Sequence, residues 1–177
     1  FNRDGVSANS DRRDGDLDGR GATFAAELWP RELLSRDVPF RLGDPSPGVR
    51  NVLDCAGQRL PLPRGVYGAV YLLGFAAGGA DWEKGQAVVG YADDSSARVD
   101  LAFRDWVATV GGWGILPIPD AIARVMTHRH RRNGDDLTRD NHLYLYRIPL
   151  DSGKAARDLI LPVNQRMKIV AVTITDR

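Results

Sequence analysis

The chain of 177 residues predicts an all-β fold, an antiparallel two-sheet β-sandwich of the jelly-roll type. Three observations point there. Nineteen glycines and ten prolines punctuate short apolar runs. Apart from a few residues around Glu27 to Leu34, no 3.6-residue period lasts long enough to make a helix. The apolar runs are of strand length and are separated by Gly, Pro and Asp turns, which is the pattern of antiparallel packing rather than of alternating strands and helices.

In chain order, two short strand candidates come first, Val38 to Leu42 and Gln58 to Leu62. Clearer strands follow at Val66 to Phe75, Gln86 to Tyr91 and Ala97 to Phe103, the last two joined by a polar hairpin connection of Asp93, Asp94 and Ser95. Arg124 to His130 is the next strand, and Asn133 with Gly134 opens a loop after it. In His142 to Leu150, His142, Tyr144, Tyr146 and Ile148 alternate with Leu143, Leu145 and Arg147, so the two faces meet different surroundings. Asp151 to Gly153 ends that strand and Arg157 to Leu161 follows. In Met167 to Thr175, Lys168, Val170, Val172 and Ile174 are apolar after the first member. That face is expected to be buried throughout, with the opposite face partly covered. Two long loops remain, Ser7 to Ala22, dense in Asp, Arg and Gly, and Arg104 to Asp120, with Trp106 and Trp113.

Composition narrows the function. With 43% hydrophobic and 27% charged residues, the chain is expected to form one domain, and at this length a fold buries roughly 70% of its unfolded surface without metal or disulfide support. Lys plus Arg number 24 against 23 for Asp plus Glu, a formal charge of +1, so there is no strong field to hold nucleic acid or an anionic membrane. The longest apolar stretch, Gly68 to Gly79, is about half of a bilayer span, and no signal-like segment opens the chain. Neither nucleic acid nor membrane is expected as a partner. Cys55 is the single cysteine, and with three histidines the chain has no structural zinc spacing. The compartment is left open between secreted and cytoplasmic. Phe1 in place of Met leads to the expectation that the chain is a segment of a longer protein.

Three constellations could carry chemistry. Asp14, Asp16 and Asp18, interleaved with Gly15 and Gly19, match the opening of a calcium loop. A full loop would place a glutamate where Ala25 stands, and Glu27 comes two residues late. Without flanking helices the helix-loop-helix version is excluded. An acidic surface turn that bonds its own backbone is the leading reading, with a structural calcium ion as the alternative; no cofactor is required. In Thr127 to His130, His128 and His130 occupy alternate strand positions, so both rings leave one face to contact a polar ligand, to ligate a metal or to rest as satisfied sheet histidines. A metal needs a third ligand, and His142 is the only other histidine, so metal ranks last. Asp105 and Trp106, followed by Trp113 among glycines, form an aromatic loop whose indole faces could stack on sugar rings while carboxylates take the hydroxyls. Trp106, beside a strand end, reads more readily as a core plug, and Trp113 as the better ligand candidate.

No GxSxG elbow, no glycine-rich phosphate loop and no HExxH motif occurs. A glycosidase with two carboxylates remote in sequence stays open as an alternative, with Asp105, Glu27, Asp16 and Asp18 to supply them. The order of motifs resembles a known region: Phe1 to Gly5 with Asp14 to Gly21, Ala26 to Leu28, Asn51 to Gln58, Asp105 and Trp106, Thr127 to His130, Leu143 to Tyr146 and Ile169 to Ile174. Together they resemble an accessory β-sandwich of large bacterial α-mannosidase-like proteins of glycoside hydrolase family 38 and related carbohydrate-active proteins. In the pattern of those relatives a proline stands where this chain has Ala25, and their Asp-Trp loop continues into a second Trp followed by an acid, whereas here Gly114 follows Trp113.

The resemblance implies a noncatalytic, galactose-binding-domain-like jelly roll from a bacterium, with no counterpart of the catalytic metal ligands of such enzymes. The expected function is therefore a carbohydrate-binding or accessory module that contacts a glycan or oligosaccharide through Asp105, Trp106, Trp113, His128 and His130. The alternative, from a different class, is a structural domain that packs on a neighbouring catalytic domain through an apolar patch of Phe1, Trp29, Leu33 and Leu34. The isolated chain is expected to hydrolyse no glycoside.

Overall fold

The computed structural model describes residues 1–107 and 121–176. Strand accounts for 58% of the described residues and helix for 2%. In chain order the strands are β1 (Val6–Ser7), β2 (Thr23–Ala25), β3 (Glu32–Ser35), β4 (Val38–Arg41), β5 (Leu53–Ala56), β6 (Arg59–Gly65), β7 (Ala69–Ala76) and β8 (Trp82–Tyr91). They continue as β9 (Ser96–Arg104), β10 (Ala121–Met126), β11 (Arg129–Arg131), β12 (Gly134–Asp136), β13 (Asn141–Pro149), β14 (Ala156–Ile160) and β15 (Val163–Thr175). A single 3-10 turn, Ala26–Leu28, follows β2.

Two sheets make the sandwich, one in the order β10-β13-β7-β15-β5 and the other in the order β6-β14-β8-β9. Their pairings nest: β5 with β15, β6 with β14 and β7 with β13, all around the β8–β9 hairpin. The chain thus folds as one long antiparallel hairpin rolled so that successive limbs alternate between the sheets, which is a jelly roll. The antiparallel β-sandwich expected from the turn spacing is the fold of the chain. Leu72, Leu73, Leu143, Leu145, Ile148 and Leu159 are fully buried, each such side chain contributing about 1.5–3 kcal/mol. Phe103 of β9 stacks on Tyr146 of β13 with ring centroids 4.1 Å apart, joining the sheets at their centre. Phe24, Phe75 and Trp106 extend the core toward a smaller sheet.

That sheet runs β1-β2-β11-β12, and a β3–β4 hairpin stands apart from it. The β1–β2 pair is parallel, a departure from the antiparallel rule that the rest of the sandwich keeps. The strand predicted over Arg124 to His130 is in fact two. β10 ends at Met126 in the five-stranded sheet, the chain steps out at Thr127 and His128, and β11 pairs with β2 instead. The helical period near Glu27 yields only the 3-10 turn, because the chain passes straight into β3.

β15 also departs from strict alternation. Its register with β7 shifts between Ile169 and Ala171, so Val170 bulges and the faces exchange. Residues Met167 to Ala171 are buried on both faces, whereas Val172 is 38% exposed, so the face expected to be buried throughout is not. Lys168 is buried at 3% exposure because its Nζ meets Asp54 Oδ1 at 2.6 Å and donates to the Gln165 carbonyl oxygen. Arg3 Nε holds the other oxygen of Asp54 at 2.5 Å. Of the expected apolar patch, Trp29 is buried and Leu33 half-buried, leaving Phe1 and Leu34 exposed. Trp29 is drawn in because its Nε1–H donates to the Gly43 carbonyl while its ring packs on Phe24.

Candidate functional site

The small sheet gathers the polar residues of one end of the molecule. Its register sets Arg129 opposite Phe24 and His130 opposite Thr23 across β2, and His130 opposite Asp135 across β12. Period-2 alternation along β11 then sends His130 to one face and Arg129 to the other. The 3-10 turn after β2 carries Glu27 to the His130 side.

On that side His128 Nε2 lies 3.0 Å from Glu27 Oε1, and His130 Nε2 lies 3.3 Å from the same oxygen. Asn9 Nδ2 donates to it at 3.1 Å. Behind the cluster His130 Nδ1 is 3.0 Å from Ser7 Oγ, and the Ser7 and Thr23 hydroxyls are 2.6 Å apart. Asp135 Oδ1 lies 3.6 Å from His130 Nε2 and accepts from Arg12 Nε at 3.0 Å. The His130 side chain is sealed at 0% exposure, His128 shows 14% and Glu27 37%, so the cluster opens to solvent on the Glu27 side. Burial works to raise the Glu27 carboxyl, but hydrogen bonds from its own backbone N–H and from His128, with the His130 ring beside it, outweigh that and hold it below the usual glutamate range. Among the described residues these three side chains form the group of metal-ligating atoms within 4.8 Å of one another.

On the other face Arg129 lies over the Trp106 ring at 5.4 Å and grips Asp136 Oδ2 through Nε and Nη2 at 2.9 and 2.7 Å. The hydrogen bond from Thr138, with that from Arg129, drives the Asp136 carboxyl far below the aspartate range. Trp106 is 1% exposed, packed by Phe24 and Phe75, so it plugs the core and has no face for a sugar ring. Asp105 is 5% exposed. Burial raises its carboxyl, partly offset by the backbone N–H groups of Val107, Gly79 and Gly78. Asp105 is thereby occupied in fixing the loop before β8, facing a small cavity of about 140 Å³ that Asp18, Arg20 and Arg131 also line. His142 is buried, its Nδ1 3.3 Å from the Trp106 carbonyl oxygen, and desolvation holds its ring below the ordinary histidine value. Trp113 lies outside the described residues.

The acidic loop behaves as a set of turns. Asp16 Oδ1 accepts from the backbone N–H groups of Asp18 and Gly19, Asp18 Oδ1 from those of Arg20 and Ala22, and Asp14 Oδ2 from that of Gly48. The three carboxylates do not come together as a group of ligating atoms within 4.8 Å.

A family model described as the AziU2-like beta-sandwich domain matches residues 1–177. The chain belongs to that family. A search of curated proteins finds no match. Membership of the AziU2-like family agrees with the sandwich architecture and lends nothing to the likeness with the mannosidase accessory region. In this AziU2-like domain the short motifs behind that likeness are largely architectural. Asn51 accepts from the Gly5 N–H, Asp105 clamps a loop and Trp106 fills the core. The sequence did point to His128 and His130 sharing a site. It missed Glu27 as their partner, which stands 101 positions from His128 and is brought there only by the β2–β11 pairing. Ser7, Asn9 and Asp135 were likewise unmarked, and no local pattern distinguishes them from ordinary loop residues.

Proposed function

We propose that this domain is a noncatalytic accessory module that binds a polyhydroxylated, glycan-type ligand at the end built by β1, β2, β11 and β12. The observation that carries the reading is an open polar groove of about 350 Å³ lined by Asn9, Arg12, Arg13, Arg132 and Asn133. It adjoins the histidine cluster through Asn9, which donates to Glu27, and Arg12, which donates to Asp135. Amide and guanidinium donors beside a half-exposed carboxylate suit ring hydroxyls and uronate oxygens, and a shallow site of this kind binds weakly. A glycan array run with the full chain tests it, beside Arg132→Ala and Trp113→Ala. Binding reduced at least about tenfold by Arg132→Ala supports the groove. Loss only with Trp113→Ala moves the site to the aromatic loop, and no binding on the array rejects the reading.

A second reading is favoured by the apolar groove of about 550 Å³ between the β3–β4 hairpin and β15, where Leu34 and Val172 are exposed at 66% and 38%. In it the domain packs against a catalytic neighbour of the same protein. Hydrogen exchange in the parent protein would then protect β3 and β4 beyond their protection in the isolated domain, and equal protection rejects it.

A further inference from the structure

We propose that Glu27, His128 and His130 form a site for a first-row divalent transition-metal ion, Zn2+ foremost, in a two-histidine, one-carboxylate arrangement. The proposal stands apart from the glycan reading, since the metal is measured with no glycan present. Three features of the cluster carry it. The first is convergence: the two Nε2 atoms lie 3.0 and 3.3 Å from the same Glu27 Oε1, and a ligand atom from each of the three side chains lies within 4.8 Å of the other two, so a cation with ligand bonds of roughly 2.0–2.2 Å can touch all three after small rotations.

The second is the support behind His130. To ligate through Nε2, a neutral imidazole must carry its proton on Nδ1 and donate it. Ser7 Oγ is 3.0 Å from that Nδ1, and the Ser7 hydroxyl can pass its own hydrogen on to Thr23 Oγ1 at 2.6 Å. This relay accepts the Nδ1–H tautomer without leaving an unpaired polar atom in a fully buried place.

The third feature is access. His130 closes the back of the site, whereas Glu27 and His128 face solvent, leaving room for water or a ligand to complete the coordination. Two imidazoles with one carboxylate are borderline donors that suit Zn2+, Fe2+ or Co2+; Ca2+ and Mg2+ call for oxygen-rich shells. The same face thereby acquires a Lewis-acidic centre next to the polar groove.

The test uses tag-free, chelator-treated full chain. Titration calorimetry with Zn2+ is expected to give one equivalent per chain and a raised melting temperature, and Co2+ to give a visible d–d band. Glu27→Gln and His128→Ala, both at the solvent side and checked for an unchanged far-ultraviolet spectrum, should each weaken Zn2+ binding at least about tenfold. Ser7→Ala, which touches no metal, should weaken it about 10–100-fold by removing the support of His130. Absence of Zn2+ binding, affinity unchanged in Glu27→Gln, or equal stabilisation by Ca2+ would overturn the proposal.

Discussion

An ammonium as deeply buried as Lys168 has given up most of its hydration, and desolvation lowers its pKa even though the hydrogen bond and charge of Asp54 oppose the shift. Such a pair contributes little beyond a well-packed apolar one, but removing one partner strands the other. Asp54→Ala is therefore expected to cost about 3–5 kcal/mol, because Lys168 then stays buried without its counter-ion. Lys168→Met should cost clearly less, since Asp54 keeps Arg3. Urea unfolding of the two variants checks the ranking, and an equal or inverted order contradicts it. Asp93 is a simpler case at the surface. The hydroxyl and backbone N–H of Ser95, with Lys154 nearby, bring its carboxyl down from the ordinary aspartate value to about 2. The ionised form is thus favoured by folding. Its contribution to stability is complete above the ordinary aspartate value and disappears as the pH falls through about 2. Carboxyl chemical shifts followed against pH should show a midpoint near that value, and Ser95→Ala should move it upward.

Among the elements, β7 is the most constrained, because it sits between β13 and β15 while the second sheet presses on its face. At Gly74 a Cβ would stand 2.6 Å from the Lys168 carbonyl oxygen and 2.6 Å from Phe103 Cε2. Backbone on one side and a stacked ring on the other cannot both yield. Gly74→Ala is expected to lose about 1–3 kcal/mol through overpacking, read as a lower denaturation midpoint with an unchanged slope. The long strands were legible in the sequence because their alternation and their Asp and Gly turns are local properties. β7, β8, β9, β13, β14 and β15 each overlap the stretch their pattern indicates. β1, β2, β5 and β12 run only two to four residues, too short for any period to register, and they become strands through long-range pairing. The division between β10 and β11 was hidden for a related reason. A continuous β-like sequence says nothing about which sheet each half joins. The candidate site shares this property, since the histidines were visible as a pair whereas their carboxylate is supplied by tertiary contact alone.

Across the whole molecule, a jelly roll with 2% helix among its described residues should give a far-ultraviolet spectrum dominated by strand, and helix above roughly one-third would contradict the architecture. The nested pairing also has a temporal consequence. Among the described residues, the two sheets of the sandwich hold a single pair of chain neighbours, the β8–β9 hairpin, whereas β5, the first limb of the sandwich, finds its partner in β15, the last. β15 also lies between β5 and β7, so the five-stranded sheet lacks an interior member until Val163 to Thr175 are available. A chain emerging from the ribosome must therefore carry β5 unpaired until β15 has been made and β7 unpaired until β13 has, with the apolar surface of Leu72, Leu73 and Phe75 uncovered meanwhile. Refolding from denaturant is expected in the millisecond-to-second range set by such non-local contacts, and a chain truncated before Val163 should remain unfolded and prone to aggregate. During biosynthesis the domain's need for chaperone shelter lasts until β15 has emerged.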